Sequence, residues 1–237
     1  MKIASEKIDV CCHEPEIYNR LLSLDNKHIL ELGCGSANIT RKIATSGVNR
    51  HITALEVDNI AHGKNLQIAD LPNVTFGLSG AQKIPLADKS VDVVFMFKSL
   101  HHVPVDLMET SMHEISRVLK PGGFAYISEP VFAGEFNEIM RLFNDEELVR
   151  QSAFETVKKA VDTSLFDLVD EVFFNSPRQF ADFTEFDSTI IKVTHSNHRL
   201  DEKLYAQVKQ RFNKHMGENG AHFLNPIRVD LLRRPNL

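Results

Sequence analysis

Residue types able to do chemistry gather at three places along the chain. The first is Gly33-Cys34-Gly35, which follows Ile29-Leu30-Glu31-Leu32 and precedes a helix-like stretch from Asn38. Glycine has no Cβ, so the backbone there can adopt positive φ and approach a ligand closely. The first amides of the following helix then point at whatever lies over the turn. This is a cradle for a nucleotide-like ligand. The second place is Glu56, 21 residues beyond Gly35 at the tip of Ile52-Thr53-Ala54-Leu55. In doubly wound sheets an acid at this position accepts ribose hydroxyls, whereas Asp58 is placed to cap a helix from Asn59. The third is His101-His102, joined by Glu129. Each follows a strand-like run, so they share a sheet edge with the glycine turn. A histidine or carboxylate there can take a proton from an amine or alcohol nucleophile, or hold a substrate. Against this stand a structural histidine and, for Glu129, a helix cap or a partner for Arg141.

Other clusters fall short. Cys11-Cys12-His13 and His195-x-x-His198 offer fewer ligands than a metal site requires, and no metal is expected. A dinucleotide fingerprint needs a third glycine where this chain has Asn38. Cys34 reads as a small residue in the turn.

The elements that must position these groups alternate from residue 27 to 130. Strands are expected at His28–Leu32, His51–Val57, Val74–Leu78, Ser90–Phe97 and Phe124–Ser128. Helices are expected at Asn38–Thr45, Asn59–Ile68 and Leu107–Leu119, the last stopped by Pro121-Gly122-Gly123. Such alternation implies a parallel sheet with helical crossovers. Residues 1–26 read as a helical leader, with Pro15 in the first turn and Ile17, Tyr18, Leu21, Leu22 and Leu24 as its apolar face. Tyr18 either folds over the ligand or belongs to the core. Residues 131–166 read as helical, Phe166–Phe174 as a sixth strand, Pro177–Val193 and Asp201–Met216 as helices, and Phe223–Leu232 as the last strand. The whole is an α/β, doubly wound, mostly parallel seven-stranded sheet in one domain. Residues 27–130 form its ligand-binding core, the helices of 131–222 a lid over the carboxyl edge, and 223–237 carry the last strand. Phe173, Phe174, Phe180, Phe183 and Phe186 either line an apolar pocket or pack a core.

Five motifs in order resemble the class I S-adenosylmethionine-dependent methyltransferases, of the type 11 kind. They are Leu30-Glu31-Leu32-Gly33-Cys34-Gly35-Ser36, Ala54-Leu55-Glu56-Val57-Asp58, Ile84-Pro85-Leu86-Ala87-Asp88-Lys89-Ser90-Val91-Asp92-Val93-Val94, Ser99-Leu100-His101-His102-Val103 and Arg117-Val118-Leu119-Lys120-Pro121-Gly122-Gly123. The resemblance implies a Rossmann-like fold and S-adenosyl-L-methionine as cofactor. It places Glu31, Gly33, Cys34 and Gly35 at the methionine end, Glu56 on the ribose, Val57 beside the adenine, and Gly80, Ala81 and Gln82 along the adenine edge. Lys98 falls where backbone groups meet the methionine moiety. Two departures stand out: the family commonly has Asp where this chain has Gly80, and a lysine at position 98 is unusual.

Bulk properties narrow the partner. A net charge of −5 argues against a broad nucleic-acid surface, although Arg228, Arg233 and Arg234 leave room for a small basic patch. No run is long and apolar enough for a membrane span, and three cysteines suit a reducing cytoplasm. The expected activity is methyl transfer to a small-molecule acceptor by in-line displacement, with His101, His102 and Glu129 as catalytic candidates. Transfer to tRNA or protein, and a non-catalytic cofactor-binding subunit, are the alternatives. A homodimer is compatible with the sequence, and the acceptor is not legible in it.

Overall fold

The computed structural model describes residues 1–192 and 199–236; the pair His195 and His198 lies outside them. The strands are β1 (His28–Leu32), β2 (His51–Glu56), β3 (Val74–Leu78), β4 (Val91–Phe97), β5 (Leu119–Pro130), β6 (Asp167–Phe180), β7 (Met216–Gly217) and β8 (Gly220–Arg233). The helices are α1 (Glu14–Leu21), α2 (Asn38–Thr45), α3 (Asn59–Asn65), α4 (Val105–Val118), α5 (Glu135–Met140), α6 (Glu147–Asp162), α7 (Phe183–Phe186) and α8 (Glu202–Asn213). The sheet order is β3-β2-β1-β4-β5-β8-β6. These are the seven strands expected, and the two-residue β7 pairs with β8 as an eighth. The pairs among β1 to β5 are parallel, and β8 runs antiparallel to β5 and to β6. Chain order reverses between β1 and β4, the switch point where open α/β sheets bind ligands.

Side chains alternate across a strand, and both sheet faces are covered. Leu30, Leu32, Val94 and Met96 pack with Met108, Met112, Ile115 and Val118 of α4 and with Ala153, Val157 and Ala160 of α6. Ile29, Val93, Phe95 and Phe97 face the other way, onto Ile17 and Tyr18 of α1 and Ile43 and Ala44 of α2. Tyr18 is a core residue, its ring 5.6 Å from that of Phe95. Among the described residues no helix is long and apolar enough to cross a membrane.

The second half departs from expectation. The stretch from 131 to 166 is two helices, α5 and α6, with an interruption between them. The helix expected over Pro177–Val193 is shortened: β6 continues through Pro177 to Phe180, and helical structure begins only at Phe183, where α7 runs on into a π-turn at Asp187–Ile191. Asn-Ser-Pro reads locally as a turn, but proline is tolerated on an edge strand, and β6 is the edge. β8 pairs with β5 only from Ile227 onward, whereas its residues Ala221–Pro226 pair with Asn175–Phe180 of β6 and, at Ala221, with Met216 of β7. This two-stranded ribbon therefore projects past the carboxyl end of β5. Phe180, Phe223, Phe183, Phe186, Phe212 and Phe136 form an apolar cluster around it. The aromatic run thus divides: Phe174 belongs to the sheet core, and Phe180, Phe183 and Phe186 belong to this outer cluster.

Candidate active site

The glycine turn is built by close approach. Gly33 has φ +73°, and a Cβ there would lie 2.7 Å from Cβ of Ser99. Its bareness lets the ends of β1 and β4 meet, where Ser99 Oγ donates to the Leu32 carbonyl at 2.8 Å. Asn65 Nδ2 donates to the Gly35 carbonyl at 2.8 Å from α3. Glu56 closes the turn, with Oε2 accepting from Gly35 N–H at 2.6 Å and Oε1 from Val57 and Asp58 N–H at 2.8 and 2.9 Å. Asp58 caps α3, its Oδ1 accepting from Ile60 N–H at 2.7 Å.

A cavity of about 590 Å³ opens over this turn, bordered by Gly33, Gly35, Glu56, Val57, Gly80, Ala81, Gln82, Lys98 and His102. Its chemistry fits a nucleoside-bearing cofactor. A Cβ on Gly35 would meet nothing within 4 Å, so this part of the floor is bare backbone. A carboxylate offers about four acceptor positions, and the three backbone donors leave Glu56 one for a ribose hydroxyl. Gly80 makes room for Gln82, whose carboxamide a Cβ at position 80 would strike at 2.3 Å. A polar side chain thus stands at this edge although the usual Asp is absent.

Two of the residues assigned to the methionine end do not border the cavity. Glu31 is buried behind the turn and accepts from Thr40 Oγ1 at 2.7 Å. Burial pushes its carboxyl up to about 7, against the pull of the Thr40 hydrogen bond, and the charge of Glu56 adds to the rise. Cys34 is buried with its thiol pushed up by burial and then by Glu31 and Glu56, as befits a packing residue.

A second cavity of about 250 Å³ adjoins the first, and Lys98 and His102 border both. Lys98 takes positive φ, 56°. Its amide donates to Ser128 O at 2.7 Å, and its ammonium reaches Glu14 Oε2 of α1 at 2.8 Å. Glu14 also accepts from Tyr126 OH at 2.8 Å. The ammonium therefore tethers the leader helix to the site.

His101 and Glu129, both buried, come together from different strand ends. His101 Nδ1 is hydrogen-bonded to Glu129 Oε2, while Glu129 Oε1 accepts from Leu100 N–H at 2.9 Å. His101 Nε2 faces Glu146 Oε2 at 3.8 Å. Burial works against an imidazolium here, but the charge and hydrogen bond of Glu129 and the charge of Glu146 outweigh it and raise the His101 pKa. Glu129 is held below the ordinary carboxylate range despite its burial, chiefly by His101. Arg141 is engaged instead with Glu138, Asp145 and Glu147. The His102 ring lies 4.1 Å from that of His101.

Sequence reasoning missed several polar side chains of this second cavity, among them Asn137, Asn144, Glu146, Arg150 and Arg178. Glu146 accepts from Arg150 Nη2 at 2.6 Å and from Asn144 Nδ2 at 2.9 Å. The signal was the Asn144-Asp145 pair, a turn-forming dipeptide inside an otherwise helical pattern. His101, His102 and Glu146 are also placed to approach a common metal ion, although Glu146 already holds Arg150. The three arginines suspected of forming a basic patch are separately engaged. Arg228 is buried on Asp230, Arg233 pairs with Asp167, and Arg234 donates to backbone carbonyls.

Comparison with known proteins agrees with this geometry. A methyltransferase-domain family model matches residues 29–123. An O-methyltransferase of Aspergillus nomiae is 33% identical over 118 residues, covering 48% of this chain and 51% of that protein. An uncharacterised methyltransferase of Mycobacterium tuberculosis is 32% identical over 111 residues, covering 47% and 43%. The chain thus spans about half the length of these relatives. Among solved structures, the YcgJ protein of Bacillus subtilis superposes with a TM-score of 0.65 at 16% identity, covering 93% of this chain and 97% of that one. Residues 29–123 thus match a methyltransferase domain, and the chain as a whole shares the fold of solved structures that include a methyltransferase of Methanosarcina mazei described as S-adenosylmethionine-dependent.

Proposed function

We propose that the protein transfers a methyl group from S-adenosylmethionine to a small-molecule acceptor. The observation that carries this reading is the pair of cavities meeting at Lys98 and His102, one over the glycine turn and Glu56, the other lined mostly by residues beyond 130. The O-methyltransferase relative supports methyl transfer as the reaction. When bound, the cofactor supplies a methyl group already electrophilic on its sulfonium. Gly33, Gly35 and Glu56 hold it, with Val57, Gly80, Ala81 and Gln82 at the base-side edge. The protein's task is then to align the acceptor and exclude water, which accounts for on the order of 7–11 kcal/mol in favourable cases. His102, bordering both cavities, takes the acceptor's proton. His101 is a positioning residue behind it, fixed by Glu129 and Glu146.

Calorimetric titration with S-adenosylmethionine tests the cofactor half. Binding at micromolar concentration is expected, weakened in Glu56→Ala, and no heat at millimolar ligand overturns the reading. Product formation across an acceptor panel tests the other half. His102→Ala is expected to lower kcat by about 10²- to 10⁴-fold. An unchanged kcat removes the proton-acceptor role.

A further inference from the structure

The charges around the smaller cavity are nearly all matched. Lys98 is held by Glu14 at 2.8 Å, Arg150 by Glu146 at 2.6 Å, and His101 by Glu129. Arg178 is the exception. It stands on the projecting part of β6, opposite Phe223 of β8, and its guanidinium lies 4.8 Å from the Phe136 ring centroid and 5.6 Å from that of Phe180. The two rings fix the plane of the group without neutralising it. Among the described residues it forms no ion pair, and residues 193–198 contain no Asp or Glu. It borders the same cavity as His101 and His102, with Thr189 and Ile190 of the π-turn as neighbours. Single π-turns recur at functional sites.

We propose that Arg178 is the specificity residue of the acceptor site and that the acceptor carries a carboxylate at one end, its nucleophilic atom lying at the His102 end. This rests on the reading of the smaller cavity as the acceptor site. One unmatched positive charge suits a monoanion, and the planar two-donor edge of a guanidinium suits a carboxylate in particular. Phe136, Val131 and Met140 enclose the apolar middle of such a molecule. Arg178 is on the exposed side of the cavity, so the gain is that of a partly hydrated pair, near the lower end for a charged hydrogen bond.

The test uses the full chain saturated with S-adenosylhomocysteine, titrated calorimetrically with meta-hydroxybenzoate, meta-hydroxybenzamide and phenyl phosphate. The acid is expected to bind about tenfold tighter than the amide. In Arg178→Met, which keeps an unbranched apolar chain over Phe136, the two should bind equally. Affinity for S-adenosylhomocysteine should be unchanged, because Arg178 does not border the larger cavity. Arg178→Lys should restore part of the preference. Equal affinities in the natural protein, no binding of either benzoyl compound at millimolar concentration, or a preference surviving in Arg178→Met each overturn the proposal. Tighter binding of phenyl phosphate overturns the assignment to a carboxylate. Failure to bind S-adenosylhomocysteine instead overturns the cofactor reading beneath it.

Discussion

Glu31 shows how one carboxyl can set the pH response of the fold. Its folded-state value of about 7 lies above the ordinary 4.5, first because of burial. Between those values the folded chain holds a proton that the unfolded chain has released. Stability therefore falls as pH rises through this window and levels off above it. The change is on the order of 3 kcal/mol. His101 acts in the same direction. Its raised pKa contributes stability below the ordinary imidazole value that is lost as pH rises through the folded one. Glu129, held low, contributes stability above the ordinary carboxylate value that is lost on acidification. The expected outcome is that Glu31→Gln, which can still accept from Thr40, is more stable than the natural protein at pH 8 and similar at pH 5 by urea unfolding. Equal pH slopes for the two proteins would show that Glu31 is ionised in the fold.

Among the elements, α1 is attached by one buried carboxylate. Pro15 begins its first turn, and Glu16 Oε1 accepts from His13 N–H at 2.9 Å, which defines where it starts. Ile17 and Tyr18 pack on the sheet, but Glu14 joins the helix to the site through Lys98 and Tyr126. Removing that carboxylate strands the Tyr126 hydroxyl in the core. Glu14→Ala is expected to cost about 1–3 kcal/mol, with faster hydrogen exchange at Ile17–Leu21. Glu14→Gln, which keeps an acceptor, should cost less. An unchanged unfolding midpoint in Glu14→Ala would show that the tether contributes nothing. The same ion pair explains the lysine at position 98, which no reading of the motif alone could do. Its partner lies 84 residues away in sequence.

For the molecule as a whole, the two cavities depend on different cores. The larger one stands on the sheet and its flanking helices. The helices beside the smaller one stand on the β6–β8 ribbon and its own apolar cluster, which includes Phe136 and Ile190 of the smaller cavity but no residue bordering the larger. Such an arrangement lets the outer cluster unfold locally as a unit, below the free energy of global unfolding. Phe212 is fully buried in that cluster. Its replacement by Ala is expected to cost about 3–5 kcal/mol, read as accelerated hydrogen exchange in α8 and around the π-turn. Affinity for S-adenosylhomocysteine should stay near that of the natural protein. Loss of cofactor binding in Phe212→Ala would show instead that the two cores fold as one. We propose accordingly that residues 131–222 serve the acceptor and residues 27–130 the cofactor, within a single domain.

The sequence by itself determined the cofactor half. His28–Leu32, Asn38–Thr45 and Val74–Leu78 have the bounds read from the chain, because the punctuation is local: the glycine turn closes β1 and leads into α2, and Pro72-Asn73 precedes β3. Glycine spacing, the strand-tip acid and motif order are all short-range features, and they point to the ligand before any contact is known. Tertiary structure decided what depends on partners distant in sequence. It made Pro177 part of an edge strand instead of a helix start, broke the helix before Glu146, and turned most of the late phenylalanines into a second core. It also paired Lys98 with Glu14 and His101 with Glu129, and left Arg178 without a carboxylate among the described residues. Those outcomes follow from burial and charge matching across the folded chain, which local propensity does not encode.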